Sequence, residues 1–181
     1  CISYAQTVTI GTQVWMTKNL DVSIFRNGDP IPQAKTNEEW KKADENYQPA
    51  WCYYDNDPAN GTKNGKLYNW YAVIDSRGLA PIGYHIPSDR EWTKLTDFLG
   101  GRSVAGTKMK SKSGWNSYTG TNTSGFSGLP GGFRGFDGTF NDIGDYGFWW
   151  SSTGFGTGIA WDRTLKYDYG DVSRDGNNKE D

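Results

Sequence analysis

A single histidine, two cysteines and two methionines in 181 residues leave little material for metal or thiol chemistry. Zinc normally takes three or four His, Cys or carboxylate ligands, so a zinc centre or a histidine-based triad would have to be built around His85 alone. In the body of the chain only Cys52 is available for thiol chemistry, because Cys1 stands at its first position. Basic blocks are lacking too. Nineteen basic and 21 acidic residues are spread along the chain, for a net charge of −2, which argues against a nucleic-acid or anionic-membrane partner. No apolar run approaches the roughly 20 residues of a membrane span. Aliphatic residues are scarce, with 35% of the chain hydrophobic and a mean hydropathy of −0.77.

Aromatics stand in for the missing aliphatics. Nine Trp, 11 Tyr and 8 Phe make up 15% of the chain, and each buried ring removes roughly 150–250 Å² from water. Twenty-four glycines accompany them, pointing to a loop-rich fold and away from a helical bundle or a doubly wound sheet. The length suits one domain. The opening Cys1-Ile2-Ser3-Tyr4-Ala5-Gln6 reads as the tail of a secretory signal, with small Ser3 and Ala5 around a cleavage point before Gln6. The alternative is that Cys1 is a lipoprotein cysteine. Either reading places the protein outside the cytoplasm, secreted or on the outer cell surface, with residues 1–6 as that remnant and 7–181 as the domain.

Helices are expected in the first half. Thr36-Asn37-Glu38-Glu39 and Ser88-Asp89-Arg90-Glu91 are capping boxes. After the second, Trp92, Leu95 and Leu99 line one face and Gly100-Gly101 ends the helix. Leu67, Trp70, Tyr71 and Ile74 recur at helical spacing between Gly65 and Gly78. A weaker helix covers Val104 to Lys110. Beyond about residue 112 short strands are expected: a hairpin from Phe133 to Phe140 turning at Asp137-Gly138, strands at Phe148–Ser152 and Ile159–Tyr167, and a last one near Val172. Thr7 to Trp15 reads as one further strand. The pattern is α+β: two main helices, short antiparallel strands, and long loops rich in glycine and aromatics.

Several stretches resemble the Fibrobacter succinogenes major paralogous domain. They are Ile10-Gly11-Thr12-Gln13-Val14-Trp15-Met16, Trp51 to Asp57, Gly65 to Val73, the central Pro81-Ile82-Gly83-Tyr84-His85-Ile86-Pro87-Ser88-Asp89 with Glu91-Trp92, Leu129-Pro130-Gly131-Gly132-Phe133-Arg134, and Gly147-Phe148-Trp149-Trp150-Ser151-Ser152. The resemblance implies a C-type-lectin-like fold on proteins exported by Bacteroidetes and relatives, with adhesion to polysaccharide as the usual suggestion. Pro87 to Trp92 is also similar to a motif of formylglycine-generating enzymes, which have Arg where this chain has His85. The sequence departs from the family pattern at Ala80, where a Cys is usual, and stops at Asp181 before a final Phe- and Val-rich strand. The resemblance therefore implies a domain lacking its last strand, and an open edge at which a neighbouring chain could add a strand.

These considerations point to a non-catalytic binding domain for polysaccharide or another cell-surface ligand. A structural or assembly module and a remote formylglycine-generating-type enzyme are the alternatives. A flat ring can stack on a sugar face while nearby polar groups bond its hydroxyls, and Tyr118, Asn141, Asp142, Tyr146 and Phe155 supply those types in loop positions. In the strand, one of Trp149 and Trp150 is expected to point inward and the other outward or against a loop. No cofactor is called for, although Asp55, Asp57 and Asn60 make an oxygen-rich loop of the kind calcium takes. The loop misses the EF-hand spacing, and a solvated Asx-turn is the plainer reading. Cys52 is expected to be a buried structural thiol, and His85 to be packed before its helix.

Overall fold

The structure, a computed structural model, describes residues 6–117 and 120–179. Along the chain run β1 (Thr7–Ile10), β2 (Gln13–Met16), α1 (Asn37–Glu45), β3 (Trp51–Cys52), α2 (Pro58–Asn64), β4 (Leu67–Tyr68), α3 (Trp70–Val73), α4 (Asp89–Phe98), α5 (Arg102–Met109), β5 (Gly131–Arg134), β6 (Phe140–Ile143), β7 (Tyr146–Phe155), β8 (Ile159–Lys166) and β9 (Ser173–Asn178). The architecture is mixed α+β. Two antiparallel two-stranded sheets, β1-β2 and β3-β4, accompany a five-stranded sheet ordered β6-β5-β7-β8-β9. Within the five-stranded sheet the β5–β7 pairing, at Gly132 and Gly147, is parallel and the other three are antiparallel. Among the described residues no helix is long and apolar enough to cross a membrane.

Local chemistry starts both main helices where the capping boxes lie. Thr36 Oγ1 accepts from Glu39 N at 3.1 Å and Ser88 Oγ from Glu91 N at 3.3 Å, while each glutamate accepts in return from its cap residue's amide. Trp40 and Asp44, one turn apart, form the buried stripe of α1. Trp92, Leu95 and Leu99 bury the inner face of α4. The β5–β6 hairpin turns where expected: Asp137 Oδ1 accepts from both Thr139 N and Thr139 Oγ1, at 3.0 and 2.7 Å, an Asx-turn added to the backbone bonds from Gly135 N to Thr139 O and from Gly138 N to Gly135 O.

Three expectations are corrected. Thr7 to Trp15 is a hairpin and not one strand, because Gly11, at φ 62°, turns the chain so that Ile10 faces Gln13. The helical spacing from Leu67 to Ile74 is only half realised. Leu67 and Tyr68 pair with Cys52 and Trp51 as strand, and the helix starts only after Asn69, whose Oδ1 accepts from Ala72 N at 3.1 Å. Asn69 Oδ1 also accepts from Ala50 N at 2.9 Å, tying that cap to β3. Finally, Trp149 and Trp150 both turn inward. Trp149 packs on one core cluster and Trp150 on another, so both faces of the sheet are covered at this point.

The core is aromatic. Six of the nine tryptophans, Trp15, Trp40, Trp51, Trp70, Trp92 and Trp115, are buried, so indoles fill space that aliphatics would fill elsewhere. One cluster holds Trp15, Trp92, Leu95, Met109, Phe126 and Leu165, with Trp15 and Trp92 centroids 4.8 Å apart. A second gathers Phe25, Trp51, Trp70, Leu79 and Ala160, and a smaller third gathers Trp40, Ala50 and Cys52. The central motif serves the core through Asp89, whose carboxylate pairs with Arg163 Nη1 at 2.9 Å and with Arg174 Nε and Nη2 at 2.8 and 2.9 Å. The Arg174 guanidinium lies 3.5 Å from the Trp161 ring.

Candidate functional site

Strand alternation builds a mixed aromatic and polar face on the five-stranded sheet. Successive side chains of a strand point to opposite faces, so Tyr146, Phe148 and Trp150 of β7 share one. Their direct partners on β8 are Lys166, Thr164 and Asp162, and the next partners on β9 are Ser173 and Asp175 opposite Thr164 and Asp162. Tyr146 and Phe148 are stacked, with centroids 5.7 Å apart and planes at 13°. Phe133 of β5 meets Phe148 edge-on at 5.0 Å. Lys166 Nζ lies 5.6 Å from the Tyr146 ring and 4.8 Å from that of Tyr169. Its hydrogen bond to Tyr146 and the nearby Asp168 hold the ammonium in its charged form.

A groove of about 340 Å³ runs along this face between Tyr146, Thr164, Lys166, Ser173 and Asp175. Phe148 and Asn177 line it and also line a cavity of about 930 Å³, so the two adjoin. That volume lies at the upper end of the range usual for small-ligand sites. Segments distant in sequence bound the cavity: Thr12–Leu20, Leu67–Tyr68, Gly83–Pro87, Gly131–Arg134 and Phe148–Trp150. Gly132 is required there. Its φ is 65°, and a Cβ would stand 2.4 Å from Asn141 O. Trp149 Nε1 donates to Asn19 Oδ1 at 3.1 Å and Trp150 Nε1 to Tyr68 O at 3.2 Å, which fixes both indoles in the wall.

Asp162 is the unusual group of the site. It is 2% exposed and lines the cavity. Its Oδ2 accepts from Thr164 Oγ1 at 3.1 Å and Asn177 Nδ2 at 3.0 Å, while its Oδ1 is buried with no hydrogen-bond partner. Burial pushes its carboxyl up to about 7, against the two hydrogen bonds and the charge of Arg163, with Asp175 adding to the rise. Trp15 Nε1, Trp40 Nε1 and both amide atoms of Asn64 are likewise buried without partners, and all three residues line the same cavity.

The segments that bound the cavity are largely those that carried the family resemblance. The chain matches the family model of the Fibrobacter succinogenes major domain over residues 8–180. The chain belongs to this family. Comparison with curated proteins and with solved structures gave no match. In this Fibrobacter succinogenes major domain the Leu129–Arg134 motif becomes β5 and the Gly147–Ser152 motif the centre of β7, so the two glycine- and aromatic-rich motifs form adjoining walls of one cavity.

The residues singled out from sequence fall in different places. Asn141, Asp142 and Tyr146 come together around the β6–β7 turn, where Asp145 N donates to Asp142 O at 3.0 Å and Asp142 takes a φ of 65°. Asn141 Nδ2 donates to Thr139 Oγ1 at 3.2 Å. Phe155 lies at the far end of β7, past a bulge between Trp150 and Gly154 and about 23 Å from Tyr146 by the rise of the paired strand. It is 54% exposed, with its ring 4.5 Å from that of Trp161. Tyr118 lies outside the described residues. Asp162, Thr164, Asp175 and Asn177 escaped sequence reasoning, which singled out no site residue of the strand expected at Ile159–Tyr167. The alternation of Asp162, Thr164 and Lys166 on one face of that strand was the available signal.

The oxygen-rich loop is folded into local structure. Asp57 Oδ1 caps α2, accepting from Ala59 N at 2.8 Å, and Asn60 Nδ2 donates to Tyr54 O at 3.0 Å. Asp55 is exposed at a φ of 54°. Among the described residues no group of three or more His, Cys, Asp or Glu could hold a metal. Cys52 is fully buried and unpaired, and burial pushes its thiol up to about 11. His85 is not packed. Its side chain is 70% exposed and its Nε2 lies 2.8 Å from Glu91 Oε1 of the second capping box.

Proposed function

We propose that this domain is an extracellular, non-catalytic binding module of lectin-like fold that takes a polysaccharide or another surface glycan on the β7–β8–β9 face. One observation carries the reading. The stacked rings of Tyr146 and Phe148 run along one strand directly opposite Lys166 and Thr164 on the next, and all four line the groove. Aromatic faces stack on the apolar side of a pyranose while the neighbouring polar groups bond its hydroxyls, so the row matches successive sugar units. The chemistry of Cys52 supports a non-catalytic role, since a thiol held near 11 is not a nucleophile at neutral pH. Glycan arrays and pull-down on insoluble polysaccharides test the reading. Wild type is expected to be retained, and Tyr146→Ala and Phe148→Ala to lose most of that retention. Wild-type protein that binds nothing at high concentration would sink it.

Strand addition is the second reading, because β9 forms one edge of the five-stranded sheet. Its sequence, Ser173-Arg174-Asp175-Gly176-Asn177-Asn178, is charged and polar, and such edges discourage pairing. A stable monomer at high concentration would count against this reading.

A further inference from the structure

The groove on the β7–β8–β9 face sets aromatic rings against a polar wall, and that wall mostly accepts. Thr164 of β8 and Ser173, Asp175 and Asn177 of β9 line it, with Asp171 just before β9. Thr164 Oγ1 and Asn177 Nδ2 both donate to Asp162 Oδ2 in the layer below, at 3.1 and 3.0 Å. With those donors engaged, Thr164 Oγ1 and Asn177 Oδ1 are left to accept. Asp175 is exposed, and among the described residues no side chain bonds or ion-pairs its carboxylate. Lys166 is the cation among the groove-lining residues, and it is already held. Its ammonium is bonded to Tyr146, lies 3.5 Å from Asp168 Oδ1 and sits 4.8 Å from the ring of Tyr169. Asp168 offsets its charge, so Asp171 and Asp175 leave the groove net negative. A ligand carboxylate or sulfate would bring acceptors and negative charge to a wall that presents both. Sugar hydroxyls bring the donors that it lacks.

We propose that this groove takes neutral sugar units and excludes acidic ones, and that Asp175 is the residue that sets the choice. The inference rests on the glycan-binding reading above and names the ligand class of the same groove. A uronate keeps the apolar ring face of its neutral counterpart, so Tyr146 and Phe148 stack on both alike. The rings therefore supply affinity, and the polar wall supplies selectivity. Discrimination against the wrong ligand comes from a repulsive element placed in its way, and an exposed carboxylate without a counter-charge is such an element. Hydroxyls of a neutral sugar meet the same carboxylate with charge-assisted hydrogen bonds. Repulsion between exposed charges is screened over about 10 Å at 0.1 M salt, so the exclusion of acidic sugars weakens as salt rises.

The test is an array of neutral, uronate-bearing and sulfated glycans, followed by calorimetry at about 0.05 M and about 0.5 M salt. The calorimetric probes are pairs that share a linkage and differ in charge: cello-oligosaccharide against β-1,4-oligoglucuronate, and manno-oligosaccharide against β-1,4-oligomannuronate. Wild type is expected to bind a neutral member about tenfold more tightly than its acidic counterpart at low salt, with the gap narrowing at high salt. Asp175→Asn, which keeps an acceptor for hydroxyls, should narrow the low-salt gap about threefold, and Asp175→Lys should narrow it further or reverse it. Asp175 is exposed, so both variants should fold, and a merely structural role would not move the ratio between paired probes or its salt dependence. Acidic probes bound as tightly as neutral ones, or a ratio that both variants leave unchanged, would overturn the inference and leave the glycan reading standing. No binding of any glycan by wild type overturns both.

Discussion

Trp150 and Asp162 face each other as direct cross-strand partners of β7 and β8, an indole set beside a carboxyl that is 2% exposed. The pairing ties β8 to the second core cluster, and it makes the protonation state of Asp162 a matter of stability.

The folded-state pKa of Asp162 is raised to about 7, above an unfolded value of about 3.9. The folded state therefore holds its proton more tightly than the unfolded chain. This contribution to stability is fully present below the unfolded value and is lost as pH rises through about 7. Wild type is expected to lose stability between about pH 5 and pH 8 relative to Asp162→Asn, by an amount on the order of a few kcal/mol. Urea titrations of both proteins across that window check it. Parallel pH profiles would show that Asp162 does not titrate there.

Asp89 works in the opposite sense. Hydrogen bonds from Arg174, and then Arg163, hold its carboxyl below the usual range. Its contribution is present above the unfolded value and is lost as pH falls through the lowered folded one, in the acid range below about 4. Asp89→Ala removes the counter-charge of the Arg163 guanidinium, which is 2% exposed and otherwise donates to Asp162 O, Asp89 O and Thr93 Oγ1, and should destabilise by about 3–5 kcal/mol. Thermal melts at neutral pH read this directly, and a loss under about 1 kcal/mol would show that those hydrogen bonds suffice for Arg163.

Gly106 sits inside α5, where alanine is ordinarily better by about 1 kcal/mol. A Cβ there would lie 2.0 Å from Asp171 O and 2.8 Å from Gly170 O, both backbone atoms. Gly106→Ala is therefore expected to destabilise despite its helix propensity, by forcing α5 away from the turn that precedes β9. A raised melting temperature would contradict that packing.

Cys52 is fully buried with its thiol near 11. In a Cys1→Ser background the folded protein should leave a thiol reagent unreacted at neutral pH and react fully in denaturant. Rapid modification of the folded protein would mean that the third cluster opens readily.

What the sequence determined by itself is local. The capping boxes at Thr36 and Ser88, the Asp137 turn and the apolar spacing of Trp92, Leu95 and Leu99 act over a few residues, so the chain shows them directly. The family, too, is legible, because its motifs occur in order. Only the tertiary structure decided whether Leu67 and Tyr68 are helix or strand, since their partners Cys52 and Trp51 are remote in sequence and outweigh helical spacing. The proposed binding face was legible in part. Tyr146, Asn141 and Asp142 sit beside it, while Phe155 lies at the far end of β7, beyond the irregularity between Trp150 and Gly154. Asp162 could not be singled out along the chain. Its burial, its unpaired Oδ1 and its place beside Trp150 and Asp175 come from strand register and from the layers packed on both faces of the sheet. Desolvation of a carboxyl depends on all its neighbours in space, and a sequence specifies only those along the chain.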